Sequence, residues 1–320
     1  MSNKLPVTLL AQIEDVAVFQ TAAFLGNGVD RLDSEHLHVD LNTATNQSAN
    51  YGELNLGLHV KDEAAKVLTN RMRLLAAINE QLANVSSDSQ SYMNVKSLHW
   101  VNQVHGKHIC DVDTTLSMEP LAADAMISKQ VGLGLAIMTA DCVPIVLYQP
   151  ASGQIAAIHA GWQGLACGII QATVQRFTES GEIKAWIGVC ISQANYEVGP
   201  HVRDQLLAGC AEAQSLTQSD LNKFDERYVI HRETQGLQQT ADTLAKHTVE
   251  DAETDISKLK LNLPRLAADQ LKAAEVTLAD ELPKECSYGD DCYYSYRRQT
   301  HLQQPATGRM ALVIVRRASI

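Results

Sequence analysis

The sequence predicts a mixed α/β (α+β) fold. Two observations carry that expectation. Short apolar runs bounded by Gly, Asn and Asp recur from the beginning of the chain to its end, as β-strands do. Between them, longer segments repeat apolar residues every three or four positions, which is the helical period. A third observation concerns organisation. No internal repeat, low-complexity tract or linker divides the 320 residues, so a single domain over 1–320 fits better than two.

In chain order, VTLLAQI and VAVFQ read as strands, while residues 26–30 and 40–55 read as loops from their Gly, Asn and Asp content. From Val60 the spacing changes. Ala64, Val67, Leu68, Met72, Leu75, Ile78 and Leu82 predict an amphipathic helix, with Asp62 and Glu63 at its positive end and a polar loop over 84–91 after it. Strands follow over VKSLHWV and HICDV, and Gly106-Lys107 marks a sharp loop that leaves His105 at a strand end. Strands at 133–138, 143–148 and 154–159 are separated by a bend at Ala140–Cys142 and a hairpin at Gln149–Gly153.

Leu165, Ile169, Ile170, Val174 and Phe177 predict one helix closed by Gly181, followed by strand IKAWIGVCI and helix VRDQLLAGCAEA. Residues 214–258 are polar and acid-rich, and read as a surface insertion, partly helical. Asn262 and Pro264 suit the cap and first turn of a helix over LPRLAADQLKAAEV, and MALVIV closes the chain as a buried strand.

Composition excludes some partners. Hydrophobic residues make up 45% and charged residues 20%, a soluble globular balance. The formal net charge of -11 argues against binding to nucleic acid or an anionic membrane surface, and no apolar run reaches the roughly 20 residues of a membrane helix. The N-terminus does not read as a signal peptide, and seven scattered cysteines without a CxxC pair read as reduced thiols, so the expected compartment is the cytoplasm.

Three residue types that carry chemistry interrupt the central strands. His105, Cys142 and His159 together offer a thiolate and two imidazoles, a three-ligand zinc set with a fourth position open. Their spacing matches no local ligand pattern, so only the fold could unite them. The plain alternative is two histidines hydrogen-bonded at strand ends and a buried cysteine. The same side chains also permit a nucleophilic thiol, with His159 as base and Asp141 as a second base or orienting group. Asp141 could equally be a bend residue bonding its own backbone.

Near the C-terminus, Tyr293, Tyr294, Tyr296, Arg297 and Arg298 pair aromatic faces with guanidinium forks, and Arg309 adds a cation. The simple reading of that cluster is an edge strand. Gly161 and Gly164 around Trp162-Gln163 read as a tight strand-to-helix turn.

With these residues in view, the chain resembles the YfiH family, also called the multicopper polyphenol oxidase or laccase-domain family and a purine nucleoside phosphorylase family. The matching segments are NLGLHVKD with Asn70-Arg71, NQVHG, ADAMIS, TADCVP, HAGWQG, YEVG, LPRLAADQL, YYSYRR and TGR, in order from about residue 50 onward. The resemblance implies mixed β-sheets packed between helices, and a zinc site at His105, Cys142 and His159, with copper as the alternative metal. It implies phosphorolysis of adenosine, inosine and methylthioadenosine, together with adenosine deamination, so that purine nucleosides and phosphate are the expected partners. Other activities described in the family are a copper-dependent phenol oxidase and a cysteine amidase that edits peptidoglycan precursors.

On that reading Asp141 transfers protons. Asn55, Gln103 and Tyr294 orient base or ribose, and Arg71, Arg297, Arg298 and Arg309 are the cations available to phosphate. Monomer and homodimer are equally open. The chain departs from its apparent relatives at TAAFLGNG, where they carry an arginine-containing segment, at Gln163 in place of their arginine, and at Asn262 in place of aspartate. The resemblance therefore carries the metal site further than the phosphate site.

Overall fold

The computed structural model describes residues 5–25, 48–85, 93–117, 119–231 and 258–318. Residues 26–30, 40–47, 86–91 and 232–257, which belong to predicted loops and to the predicted insertion, lie outside them. The chain opens with β1 (Val7–Ile13) and β2 (Val16–Thr21), followed by the long helix α1 (Ala64–Val85). Then come β3 (Ser97–His99), β4 (Ile109–Asp111), β5 (Ala125–Ser128), β6 (Leu133–Thr139), β7 (Val143–Gln149) and β8 (Gln154–Ala160). Two short helices follow, α2 (Trp162–Ala166) and α3 (Ile169–Val174), then β9 (Lys184–Ile187), β10 (Glu197–Val198), α4 (Pro200–Glu212), α5 (Gln218–Asn222) and α6 (Phe224–Tyr228). The order ends with β11 (Val229–His231), β12 (Leu259–Leu261), α7 (Leu263–Ala273), β13 (Thr277–Leu278), α8 (Tyr296–His301) and β14 (Met310–Arg316).

Two large sheets lie face to face. One runs in the order β1-β2-β14-β6-β3 and the other β13-β9-β7-β8-β5-β4, and a small sheet, β10-β12-β11, stands apart. The two-residue period of a strand sorts the side chains. On β14, Leu312 and Ile314 enter the core between the sheets with Leu135 and Ile137 of β6 and Val146, Ile155 and Ala157 of the facing sheet. Ala311, Val313 and Val315 point the other way, onto Leu74, Ile78 and Leu82 of α1. The outer face of the second sheet, including Val143, Ile145, Ile158 and Ala160, packs on Leu165, Ile169, Leu266 and Leu271 of α2, α3 and α7. Mixed sheets between helices are thus what the chain forms. Every residue of β6, β7 and β8 is buried, as strands covered on both faces must be.

Several elements differ from the sequence reading for identifiable reasons. The helix expected over 165–177 is two helices, because Gly168 adopts φ +78, a left-handed conformation cheap only for glycine. Apolar spacing runs straight through this break, since Leu165, Ile169 and Ile170 enter one core. The strand expected over 183–191 ends at Ile187. Beyond it Val189 N–H donates to the Gln20 side chain at 3.0 Å and Ile191 N–H to the Asp141 carbonyl at 2.9 Å, so the ladder is replaced by other acceptors. In the 293–300 cluster the expected edge strand is instead a turn leading into α8, capped by Ser295, whose hydroxyl accepts from Arg298 N–H at 3.0 Å.

The segment read as a surface insertion is partly core, because Leu216, Phe224, Tyr228 and Val229 are buried against α7 and the second sheet. Strand β5 is absent from the sequence reading, and α7 begins as predicted, with Asn262 accepting from Arg265 N–H at 3.1 Å. No helix among the described residues is long and apolar enough to cross a membrane.

Close helix packing generates a test of the fold. Gly209 on α4 lies so near α2 that a Cβ there would meet the Ala166 carbonyl oxygen at 2.6 Å. Gly209→Ala should therefore part the helices and cost about 1–3 kcal/mol, read as a lower urea midpoint with an unchanged slope. A midpoint equal to wild type would show that the two helices are not held at this distance.

Candidate metal centre

Two chain crossings create the site. The link from β3 to β4 passes from one large sheet to the other and carries His105, and the link from β6 to β7 does the same and carries Cys142. His159 stands at the end of β8, in register with Pro144 of β7. Topology thus gathers three residues that are distant in sequence, and their donor atoms all lie within 4.8 Å of one another. The Cys142 sulfur is 3.9 Å from His105 Nε2, and the two imidazole rings are 4.7 Å apart and nearly perpendicular. A Cβ at Gly161 would sit 3.1 Å from the Cys142 sulfur, so the turn after β8 admits little more than hydrogen there. Tight as expected, that turn enters α2 directly.

Asp124 organises the centre, and it is the residue sequence reasoning missed. Its Oδ1 accepts from the backbone N–H groups of Val104 and His105 at 3.1 and 2.8 Å, and its Oδ2 from Gly106 N–H at 2.7 Å. His159 Nδ1 lies 2.9 Å from the same Oδ1, which fixes that nitrogen as the donor and leaves Nε2 for the centre. Burial alone would raise the Asp124 carboxyl, but His159 and these amides outweigh it and hold it below the usual range. Burial would likewise raise the Cys142 thiol, and the two histidines pull it down; His159 is pushed up by Cys142 and Asp124 against the effect of its own burial. The pair is thus biased toward thiolate and imidazolium. The signal for Asp124 was its place in ADAMIS, directly before a strand.

The trio opens on a cavity of about 580 Å³, also lined by Gln103, Asp141, Tyr196, Tyr296, Arg297 and Arg309. Trp162, Gln163 and His59 complete its rim, and His59 is a second residue that the sequence reading passed over.

Other expected site residues support the cavity from behind. Asn55 is fully buried; its Oδ1 accepts from Gly57 N–H at 3.0 Å and Arg309 N–H at 2.9 Å, and its amide donates to Asp62. Tyr294 is equally buried, donating its hydroxyl to the Tyr51 carbonyl at 2.5 Å. Arg298 is spent on backbone carbonyls of Ser287, Tyr288, Asp290 and Tyr293, and Arg71 on the Leu56 carbonyl with its guanidinium 4.2 Å over the Trp100 ring. None of these four is among the residues that line the cavity, and their hydrogen bonds go to the turns behind it. Gln103 lines the cavity but binds Met138 N–H and C=O as a strand partner would, at 2.9 and 2.7 Å.

Asp141 also lines it, at φ 112, a costly backbone conformation for a non-glycine residue. Its two oxygens accept from Ser287 Oγ and Arg297 N–H, each at 2.7 Å. Burial pushes its carboxyl up, against these hydrogen bonds.

Comparison with known proteins places this arrangement. The family model described as multi-copper polyphenol oxidoreductase laccase matches residues 39–234 and 224–317. The chain belongs to the YfiH family. Purine nucleoside phosphorylase YfiH of Shigella flexneri is 38% identical over 169 residues, and the match spans 52% of this chain and 62% of that protein. A Corynebacterium glutamicum protein also named purine nucleoside phosphorylase is 32% identical over 208 residues, covering 63% of this chain and 79% of its own length. The crystal structure of Neisseria meningitidis NMB0706 superposes with a TM-score of 0.64 at 23% identity, covering 97% of this chain and 99% of that one, a likeness of fold. YlmD from Geobacillus stearothermophilus gives 0.62 at 23% identity, over 94% and 92% of the two chains.

The role of Asp124 can be measured. Asp124→Asn should weaken metal binding about 10- to 100-fold in competition with a chelator, because it disturbs both the His159 ring and the backbone carrying His105. Equal affinity in wild type and variant would remove Asp124 from the centre.

Proposed function

We propose that the chain is a zinc-dependent purine nucleoside enzyme, cleaving adenosine, inosine and methylthioadenosine with phosphate and deaminating adenosine. One observation carries this reading. A three-donor centre shares its cavity with Arg297 and Arg309, and no carboxylate among the described residues lies within 4.0 Å of either guanidinium. Asp141 lines the same cavity, but its oxygens are taken by Ser287 Oγ and the Arg297 N–H, so both guanidinium groups are left to an outside anion. The names of the relatives agree with an anionic co-substrate.

The donor set fits a metal. His159 presents one nitrogen because Asp124 takes the other, Cys142 is biased toward thiolate, and exposed His105 lies at the open side. Three ligands with room for a fourth suit a catalytic rather than a closed centre. When bound, zinc would supply Lewis acidity and the activation of water. Copper also accepts thiolate and imidazole. Zinc is preferred because, among the described residues, this is the one cluster of three or more such side chains, whereas a multicopper oxidase needs several.

The rest of the chemistry is positioning and charge. Arg297 lies 5.3 Å from the centroid of the Tyr196 ring and donates to the Glu197 carbonyl, so it is held beside an aromatic face suited to a flat purine. Asp141, with both oxygens engaged, holds the start of α8 and thereby Arg297; we assign it positioning in place of the proton transfer expected from sequence. Tyr296, 57% exposed at the rim, offers a further stacking face.

A second reading rests on the same geometry. Cys142, His159 and Asp124 stand in the relation of nucleophile, base and orienting carboxylate, as an amidase would require. A covalent adduct on Cys142 formed from a wall precursor would favour it.

Incubation of purified protein with inosine should release hypoxanthine and ribose 1-phosphate only when phosphate is present, followed by chromatography. Adenosine without phosphate should give inosine. No base release with phosphate would end the phosphorolysis reading. For the metal, elemental analysis should find about one zinc per chain, lost in Cys142→Ser together with activity. Stoichiometric copper would overturn zinc.

A further inference from the structure

The structure assigns the phosphate subsite to His59 and Arg309, on the cavity wall built from residues 55–59 and the segment entering β14. This rests on the phosphorylase reading, and it adds a residue that neither the sequence nor the relatives' names single out. Of the four arginines offered to phosphate by the sequence, Arg71 and Arg298 are consumed by backbone carbonyls, and Arg297 is placed against the Tyr196 ring. Arg309, like Arg297, bonds backbone carbonyls through Nη1 and leaves Nε and Nη2 able to present a fork, but it stands on the wall that carries His59 rather than against the Tyr196 ring.

The wall is built to place that fork. Asn55 Oδ1 accepts from Arg309 N–H at 2.9 Å, and Leu56 N–H donates to the Arg309 carbonyl at 3.1 Å, tying the two segments together. Gly57 lets the arginine stem pass, since a Cβ there would lie 2.8 Å from Arg309 Cγ. Two residues later His59 is exposed at the cavity rim. Burial, then Arg309, Arg71 and the two histidines of the centre, push a proton off this imidazole. A neutral ring still has one N–H to donate to an anion held by the Arg309 fork. Phosphate held here would lie beside the centre, with the Tyr196–Arg297 face left to the base.

A nucleotide phosphoryl group has the same chemistry as free phosphate, so the test separates them. His59→Ala, at an exposed position, should raise KM for phosphate about 10- to 100-fold, the worth of a hydrogen bond to a charged group. KM for inosine, zinc content and adenosine deamination should stay near wild type, and His59→Gln should recover part of the loss. Calorimetric titration of inorganic phosphate into zinc-loaded wild type and His59→Ala reads the subsite without turnover. Unchanged phosphate affinity in His59→Ala overturns the assignment even if phosphorolysis is confirmed. Lost phosphate affinity in a protein that releases no base upholds it while the phosphorylase reading falls. If His59→Ala instead loses affinity for adenosine 5′-monophosphate but keeps it for phosphate, the subsite serves nucleotides and the assignment is also overturned.

Discussion

The candidate centre depends on one buried carboxylate. Asp124 receives three consecutive backbone N–H groups from the loop that carries His105, and the ring of His159 from the neighbouring strand. Residues 104–106 could otherwise drift, because they belong to a connection between sheets with no ladder of their own. His105 sits at φ 61, an unfavourable conformation costing about 1–3 kcal/mol for a non-glycine residue, and the clamp on its backbone offsets that cost. One side chain thus sets the position of one ligand through its main chain and of another through its ring.

Around that anchor the cavity divides its labour between residues that hold and residues that present. Asn55, Arg71, Tyr294 and Arg298 hold: each bonds main-chain or side-chain groups behind the cavity wall, and none is among the residues that line it. Asp141 and Gln103 hold as well, although they reach the cavity wall. What remains to present is smaller and sharper, with two guanidinium groups, an imidazole and the aromatic faces of Tyr196, Tyr296 and Trp162. Asp141 is the carboxylate that lines the same cavity, and both its oxygens are already engaged by Ser287 and the Arg297 N–H, which leaves the guanidinium groups to an outside anion.

Much of the architecture was legible because its strands are covered on both faces. The short, largely apolar runs read as strands at 133–138, 143–148 and 154–159 are bounded by turn residues, and the period of α1 is plain. The metal trio was legible by residue type and by resemblance, not by spacing, since two crossings between sheets bring it together and no local pattern encodes them. Legibility failed where side chains replaced the expected backbone partners. Val189 bonds Gln20 instead of a strand, and Gly168 breaks a helix without interrupting its apolar period. Site placement was hard to read for a related reason. Asn55, Tyr294 and Arg298 have the side chains of binding residues, and only the fold shows that they bond the turns behind the cavity wall. Asp124 and His59 were missed in the opposite sense, each inside a segment quoted for its resemblance, ADAMIS and NLGLHVKD, with nothing local to single out the carboxylate or the imidazole.

The two crossings that carry His105 and Cys142 have a thermodynamic consequence. Cys142 directly precedes β7, His159 stands in β8, and His105 is clamped by Asp124 directly before β5, so the two crossings deliver all three donors to the same sheet. A metal that binds there would select the state in which both crossings are seated on that sheet and draw the equilibrium toward it by mass action, adding to stability in proportion to the logarithm of its free concentration. The ion would then pin the ends of both crossings to β5, β7 and β8, and its loss would loosen those connections as well as silence the chemistry.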